Sequence, residues 1–303
     1  MNQTLSICIT ALNDTAELNN TIQSIRDTVT GDVEIVAVDD ASEVPAFVTD
    51  KRVRLHRQPF RRGVGPARHK AAELATGDTL LFLDAHMRFT PGWYEATMDR
   101  IGDPMTVWCG TCLGLGYGTM DVLQPKGVYQ GAYLLCYSEV TGEVFEGKWN
   151  GDLPHIDSPI TCLMGASYFV PKKLFFDVGG LDCLRFWGSD EPYLSSKVLL
   201  AGGKIMLSKA IRIGHEFRDK NSFATPNYVP VYNKLRCIYE LFDFQTAQFL
   251  AEKLSGHPAY AEARAEVIKA FGAIAEARKR NESVFKHDMR SMCDLHKIRY
   301  PMP

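Results

Sequence analysis

The chain has 303 residues, 46 % hydrophobic and 23 % charged, a balance that fits an ordinary soluble globular protein and excludes intrinsic disorder and collagen-like repeats. Lys and Arg number 34 against 36 Asp and Glu, so the net charge of -2 is too near neutral for the whole molecule to embrace a polyanion. Residues 211–303 carry 15 basic and 11 acidic side chains, which sets a basic C-terminal third on an acidic body and hints at a phosphate-bearing or membrane-surface partner there.

Met1 to Thr4 lacks a basic leader, and the apolar run that follows is strand-sized, so no signal peptide is expected. No stretch approaches the roughly 18 apolar residues of a membrane span. Eight scattered cysteines suit a reducing, cytoplasmic setting without disulfides; Cys109-Gly-Thr-Cys112 has no second such pair to complete a zinc site.

Leu5–Ile9 reads as a strand ending at the loop Thr10–Asp14, and Thr15–Arg26 repeats Leu18, Ile22 and Ile25 at helical spacing. Val33–Val38 is a second buried strand, stopped by Asp39-Asp40-Ala41-Ser42. Residues Arg52–His56 suit an edge strand, Gly65–Ala75 a helix, and Thr79–Leu83 a third central strand that runs into Asp84-Ala85-His86. Three strands thus end in polar residues, the place where an open parallel sheet binds ligands.

Residues 105–160 are rich in glycine and aromatics and show no helical period. Thr161–Val170 predicts a strand, Lys172–Val178 and Glu191–Ala201 helices, and Lys204–Leu207 and Ala210–Ile213 two short strands. Beyond Tyr228 the pattern is helical, with Leu235, Ile238 and Leu241 and then Val267, Phe271 and Ile274 in phase, an appendage to the sheet. The expected division is 1–225, with a nucleotide-binding half 1–100 and an acceptor half 101–225, followed by a helical extension 226–303.

Asp84 and His86 lie two apart, so on extended chain both side chains project to one side and can chelate one ion; the ordinary reading is a turn cap beside a surface histidine. The context is Arg61-Arg62-Gly63-Val64-Gly65-Pro66-Ala67-Arg68, Ala75-Thr76-Gly77-Asp78, and Leu80 to Trp93. Downstream come Met164-Gly165-Ala166, Phe186-Trp187-Gly188-Ser189-Asp190-Glu191, Ala201-Gly202-Gly203-Lys204-Ile205, and Arg212-Ile213-Gly214-His215-Glu216-Phe217-Arg218. In these ordered motifs, over roughly residues 4–245, the chain resembles GT-A glycosyltransferases of the family 2 type, and its D-x-H form is similar to the polypeptide N-acetylgalactosaminyltransferases.

The resemblance implies a GT-A α/β fold, Rossmann-like with a mostly parallel central sheet flanked by helices, and transfer of a hexose or N-acetylhexosamine from a UDP-sugar to an acceptor hydroxyl. It implies Asp84, His86 and His215 as metal ligands, for which mixed imidazole and carboxylate donors favour Mn²⁺ over Mg²⁺. Thr10, Ala11, Asp39, Asp40 and Arg68 match nucleotide-contacting positions. Asp190 and Glu191 match the acidic pair of inverting relatives, making Glu191 the candidate general base. Ser189 stands where retaining relatives have a second glycine, so the stereochemical outcome is open.

Trp187 is a candidate wall for a sugar face, and the loop Trp149–His155 is polar enough to meet sugar hydroxyls. Arg218-Asp219-Lys220-Asn221 is a candidate lid over a diphosphate. The acceptor is open among glycan, protein hydroxyl and hydroxymethylated nucleobase. A nucleic-acid partner would use Arg278, Lys279, Arg280, Lys286, Arg290, Lys297 and Arg299. Competing readings are a nucleotidyltransferase, which should carry a basic phosphate loop where Thr10–Asp14 has none, and an inactive sugar-nucleotide-binding protein.

Overall fold

The computed structural model describes residues 4–116, 121–218 and 223–301. Its first half contains β1 (Leu5–Ala11), α1 (Thr15–Thr28), β2 (Val33–Asp39), β3 (Arg54–Arg57), α2 (Val64–Leu74), β4 (Thr79–Asp84), β5 (Met87–Phe89), α3 (Trp93–Met98), β6 (Thr106–Leu115), β7 (Gly127–Tyr129), β8 (Ala132–Tyr137) and β9 (Val144–Trp149). Then follow β10 (Asp157–Pro159), β11 (Ser167–Pro171), α4 (Lys172–Asp177), α5 (Asp190–Leu200), β12 (Lys204–Glu216), α6 (Val229–Leu241), α7 (Phe244–Lys253), α8 (Tyr260–Lys269), α9 (Phe271–Glu282) and α10 (Met289–His296).

The central sheet has the order β3-β2-β1-β4-β11-β6-β12-β10. Strands β3, β2, β1 and β4 are mutually parallel, β11 runs against both β4 and β6, and β6 and β12 are again parallel. Helices cover both faces of this α/β sheet, because its strands are apolar on both sides. Leu5, Ile7 and Ile9 of β1 pack with Leu18, Ile22 and Ile25 of α1 and with Trp93, whereas the alternate residue Cys8 packs with Ala67 and Ala71 of α2.

Several expectations are revised. Ala210–Ile213 does not form a strand of its own: β12 is one strand from Lys204 to Glu216, whose pairing with β6 shifts register between Ser208 and Arg212. Of Thr161–Val170, only the part from Ser167 is strand. Before it the chain departs from the ladder, because side-chain oxygens accept its neighbours' amides: Leu134 N donates to Thr161 Oγ1 at 2.9 Å and Leu163 N to Ser195 Oγ at 2.9 Å. Residues 105–160 hold β6, ten residues almost wholly buried, together with the β8–β9 hairpin. The helical C-terminal segment shares the main core rather than hanging from it: Cys237, Ile238, Phe242, Met292 and Cys293 join Phe82, Phe175 and Leu194 in one apolar cluster.

Candidate functional site

The parallel register brings the polar strand ends together. Thr10 at the end of β1 lies opposite Asp84 of β4, and Ala11 opposite Asp39 of β2. Above them opens a cleft of about 380 Å³, lined by Thr10, Ala11, Asp14, Asp40, Arg61, Arg68, Asp84, His86, Trp149, Gly165, Trp187, Asp190, Glu191, His215, Glu216, Phe217 and Arg218 among others. Residues from widely separated stretches of chain therefore face one space.

Asp84 ends β4, His86 follows two residues later, and His215 sits near the end of β12, where it pairs with Met87 of β5. One ligand atom from each of the three lies within 4.8 Å of the others. The His86 and His215 ring centroids are 5.0 Å apart, and His215 Nε2 is 3.4 Å from Asp84 Oδ2. Neither ring nitrogen of His215, both buried, has a hydrogen-bond partner of acceptable geometry among the described residues. Burial would raise the Asp84 carboxyl pKa, but His215 and the charge of Arg68 outweigh it and hold the group well below the ordinary range.

His86 is steadied from behind. Its Nδ1 is 3.0 Å from Asp14 Oδ2, leaving Nε2 as the nitrogen open to an ion. Asp14 occupies the N-cap of α1 yet makes no capping bond with its side chain. Instead its carboxylate accepts two bonds from Arg218, Nη1 at 2.9 Å and Nη2 at 3.3 Å, and Arg218 Nε also donates to Glu216.

Arg68 is 2 % exposed despite its charge. It donates from Nη2 to Asp84 Oδ1 at 2.9 Å and to the Gly165 carbonyl, and from Nη1 to Asp190. Asp190 is buried and taken up by that ion pair, whereas the neighbouring Glu191 carboxyl is held well above the ordinary range, by burial first and the Asp190 charge second, with Arg68 offsetting part. Gly165 makes room for it: a Cβ there would fall against the Glu191 carboxylate.

Asp39, expected at the nucleotide, is fully buried and does not line the cleft. Its Oδ1 accepts from Ser42 N at 2.8 Å and its Oδ2 from Ala46 N at 3.1 Å and from Arg57 Nη1, which fixes the loop after β2. Asp40 does line the cleft, but its oxygens accept from Gln58 Nε2, Arg62 N and Gly63 N. Those bonds hold the glycine turn, where Gly63 has φ +107° and a Cβ would run into the Phe186 backbone. Thr10, Ala11 and the half-exposed Trp187 all lie on the cleft wall.

Of the expected lid, Arg218 is in the cleft, whereas Asp219, Lys220 and Asn221 lie outside the described residues. Of the loop Trp149–His155, Trp149 alone lines the cleft. Three charged cleft residues were not singled out from sequence: Asp14, Glu216 and Arg61. The Arg61 guanidinium lies 4.8 Å from the Phe186 ring centre and 5.0 Å from that of Phe223. Within the basic tail, Arg278 Nη1 donates to the Tyr239, Glu240 and Phe242 carbonyls, Arg299 pairs with Glu139, and Arg290 lies over the Tyr300 ring.

The sequence profile of Glycosyl transferase family 2 matches residues 6–144, the segment that supplies Thr10, Asp40, Arg68, Asp84 and His86 to the cleft. The chain is 29 % identical over 208 residues to Polypeptide N-acetylgalactosaminyltransferase 5 of Mus musculus, covering 64 % of this chain and 22 % of that protein. It is 28 % identical over 244 residues to Polypeptide N-acetylgalactosaminyltransferase 4 of Mus musculus, covering 75 % and 42 %. The chain thus spans less than half the length of either curated relative. The crystal structure of GalNAc-T7 with UDP, GalNAc and Mn²⁺ superposes with a TM-score of 0.75 at 18 % identity, over 96 % of this chain and 56 % of that one, a likeness of fold.

The donor set suits a divalent transition ion: two imidazoles and a carboxylate converge, and both buried nitrogens of the His215 ring lack a well-formed hydrogen bond. No helix among the described residues is long and apolar enough to cross a membrane.

Proposed function

We propose that the chain is a metal-dependent glycosyltransferase that moves a hexose or N-acetylhexosamine from a UDP-sugar to an acceptor hydroxyl. The observation that carries this reading is the convergence of Asp84, His86 and His215 at the carboxyl edge of the sheet, with neither His215 nitrogen in a well-formed hydrogen bond. The names of the curated relatives support it, as do the UDP and Mn²⁺ bound in the GalNAc-T7 crystal structure.

These three side chains would hold Mn²⁺, with Mg²⁺ the weaker fit, and the ion when bound would neutralise charge on a departing nucleoside diphosphate. Thr10 and Ala11 would meet the nucleotide through main-chain groups at the end of β1. Arg218 would add a cation beside the diphosphate. Trp187, half-exposed on the wall, would present an apolar face to the transferred sugar. Arg68 would act through others, by fixing Asp84 and Asp190 in place.

Glu191 would serve as the general base, removing the proton of the acceptor hydroxyl as its oxygen attacks the anomeric carbon. Burial and the Asp190 charge raise its pKa, which makes the ionised carboxylate a stronger proton acceptor. Asp190 is less suited, being neutralised by Arg68. The acceptor is a hydroxyl on a glycan, a protein or a hydroxymethylated nucleobase. Incubation with labelled UDP-sugars and Mn²⁺ tests the reading: metal-dependent release of UDP supports it, and binding without release under any donor, with or without a panel of acceptors, contradicts it. Mass spectrometry of the acceptors identifies the product.

A further inference from the structure

The segment that carries Trp187 and leads into Asp190 and Glu191 is a strained turn. Phe186 has φ +45°, Gly188 +102° and Ser189 +69°, so two residues with side chains occupy a region that favours glycine. Such a conformation is costly and persists only where surrounding contacts over-determine it. Those contacts come from a distant part of the chain.

Asn233, fully buried on α6, makes four hydrogen bonds to the main chain of this turn. Its Nδ2 donates to the carbonyls of Arg185 at 2.8 Å, Gly188 at 3.0 Å and Trp187 at 3.2 Å, and its Oδ1 accepts from Arg185 N at 3.0 Å. Neighbouring contacts tie down the same turn. The Arg185 guanidinium stacks 3.9 Å from the Tyr232 ring centre, and its Nη1 donates to Glu266 of α8 at 3.0 Å. On α5 itself, Tyr193 OH donates to Glu240 of α6 at 2.7 Å.

We infer that Asn233 is a positioning residue: resting on the function proposed above, the helical C-terminal segment sets where Glu191 and Trp187 stand in the cleft, and Asn233 is the clamp. Asn233 touches neither donor nor acceptor, being absent from the cleft lining. It acts by holding three carbonyls that a less constrained turn would present to water. A misplacement of about 1 Å at a reacting group is worth on the order of 100-fold in rate, so the effect falls on turnover more than on donor affinity.

The test uses the full chain with Asn233→Ala and, as a milder variant, Arg185→Met. Hydrogen exchange followed by mass spectrometry should show residues 185–193 exchanging at least about 10-fold faster in Asn233→Ala, with β1 and β4 unchanged. In the same variant, kcat for UDP-sugar turnover should fall about 10- to 100-fold while the Kd for UDP in the presence of Mn²⁺ stays within about 3-fold. Arg185→Met should show the same split at a few-fold. Unchanged exchange over 185–193 overturns the clamp whatever the enzyme's activity. Faster exchange with full turnover, or with turnover and UDP affinity lost in parallel, overturns the positioning role. Should Asn233→Ala fail to fold, wild-type exchange and kcat in Arg185→Met overturn the inference. A wild-type protein that releases no UDP from any donor defeats the proposed function and with it the positioning role, while the exchange result still decides the clamp.

Discussion

Arg68 on α2 forms a buried ion pair with Asp190, 122 residues further along the chain, and so joins the glycine turn to the first residue of α5. The same guanidinium holds Asp84 of β4 at 2.9 Å. One cation thereby compensates two carboxylates that both line the cleft.

Replacing Arg68 by Met leaves both carboxylates without their partner. Breaking a buried pair in this way costs about 3–5 kcal/mol, so the urea midpoint should fall steeply. Arg68→Lys should recover only part of the loss, since an ammonium has no fork to span both acids. An Arg68→Met protein of wild-type stability would place the work of this residue on a bound ligand instead.

Glu191→Gln should lower kcat by about 100- to 10,000-fold with little change in UDP affinity. The sign of the pH dependence follows from the raised pKa of Glu191. A base works ionised, so wild-type kcat/KM should fall as pH drops through that pKa, on a limb lying above the ordinary glutamate value of about 4.3. The Gln variant should lack this limb, and a fully active variant would remove Glu191 from the role.

Asp39→Asn should destabilise the fold by about 1–3 kcal/mol by orphaning backbone amides of the loop after β2, and should leave UDP affinity unchanged. The folded pKa of Asp39 is lowered: burial opposes ionisation, but bonds from Ser42, Ala46 and Arg57 outweigh it. Its contribution is therefore present above the unfolded value of about 3.9 and lost as pH falls below it. Denaturation midpoints measured from pH 7 downwards should fall less steeply for the Asn variant. Weakened UDP binding with intact stability would return Asp39 to the nucleotide.

Asp14→Ala should weaken Mn²⁺ binding about 10- to 100-fold, the usual effect of removing the carboxylate behind a ligating histidine. The free-ion signal in electron paramagnetic resonance measures this directly. Equal Mn²⁺ affinity in a folded variant would mean that Asp14 serves Arg218 alone.

The parallel half of the sheet was legible because β1, β2 and β4 are continuous apolar runs ending in Asp or Thr, and the polar ends are what the register aligns. The convergence of Asp84, His86 and His215 was legible through ordered motifs rather than through any one of them. Strand β6 was not, because Gly110, Thr111 and Gly114 interrupt its apolar run even though the strand is buried. The hold of Asp39 on the loop after β2 was not legible, because residue type alone does not show which backbone amides a carboxylate will meet. Asp14 carried a misleading signal, since its place before a helix suggests a cap. Asn233 had none, because a polar residue in the middle of a helix shows its meaning only when the turn it holds is in place.

The most direct test of the central claim is calorimetric titration of UDP with and without Mn²⁺ for wild type and His215→Ala. The account predicts that Mn²⁺ tightens UDP binding to the wild type and that most of this enhancement disappears in a folded His215→Ala protein. An equal enhancement in both proteins would contradict a cation held jointly by residues 84, 86 and 215.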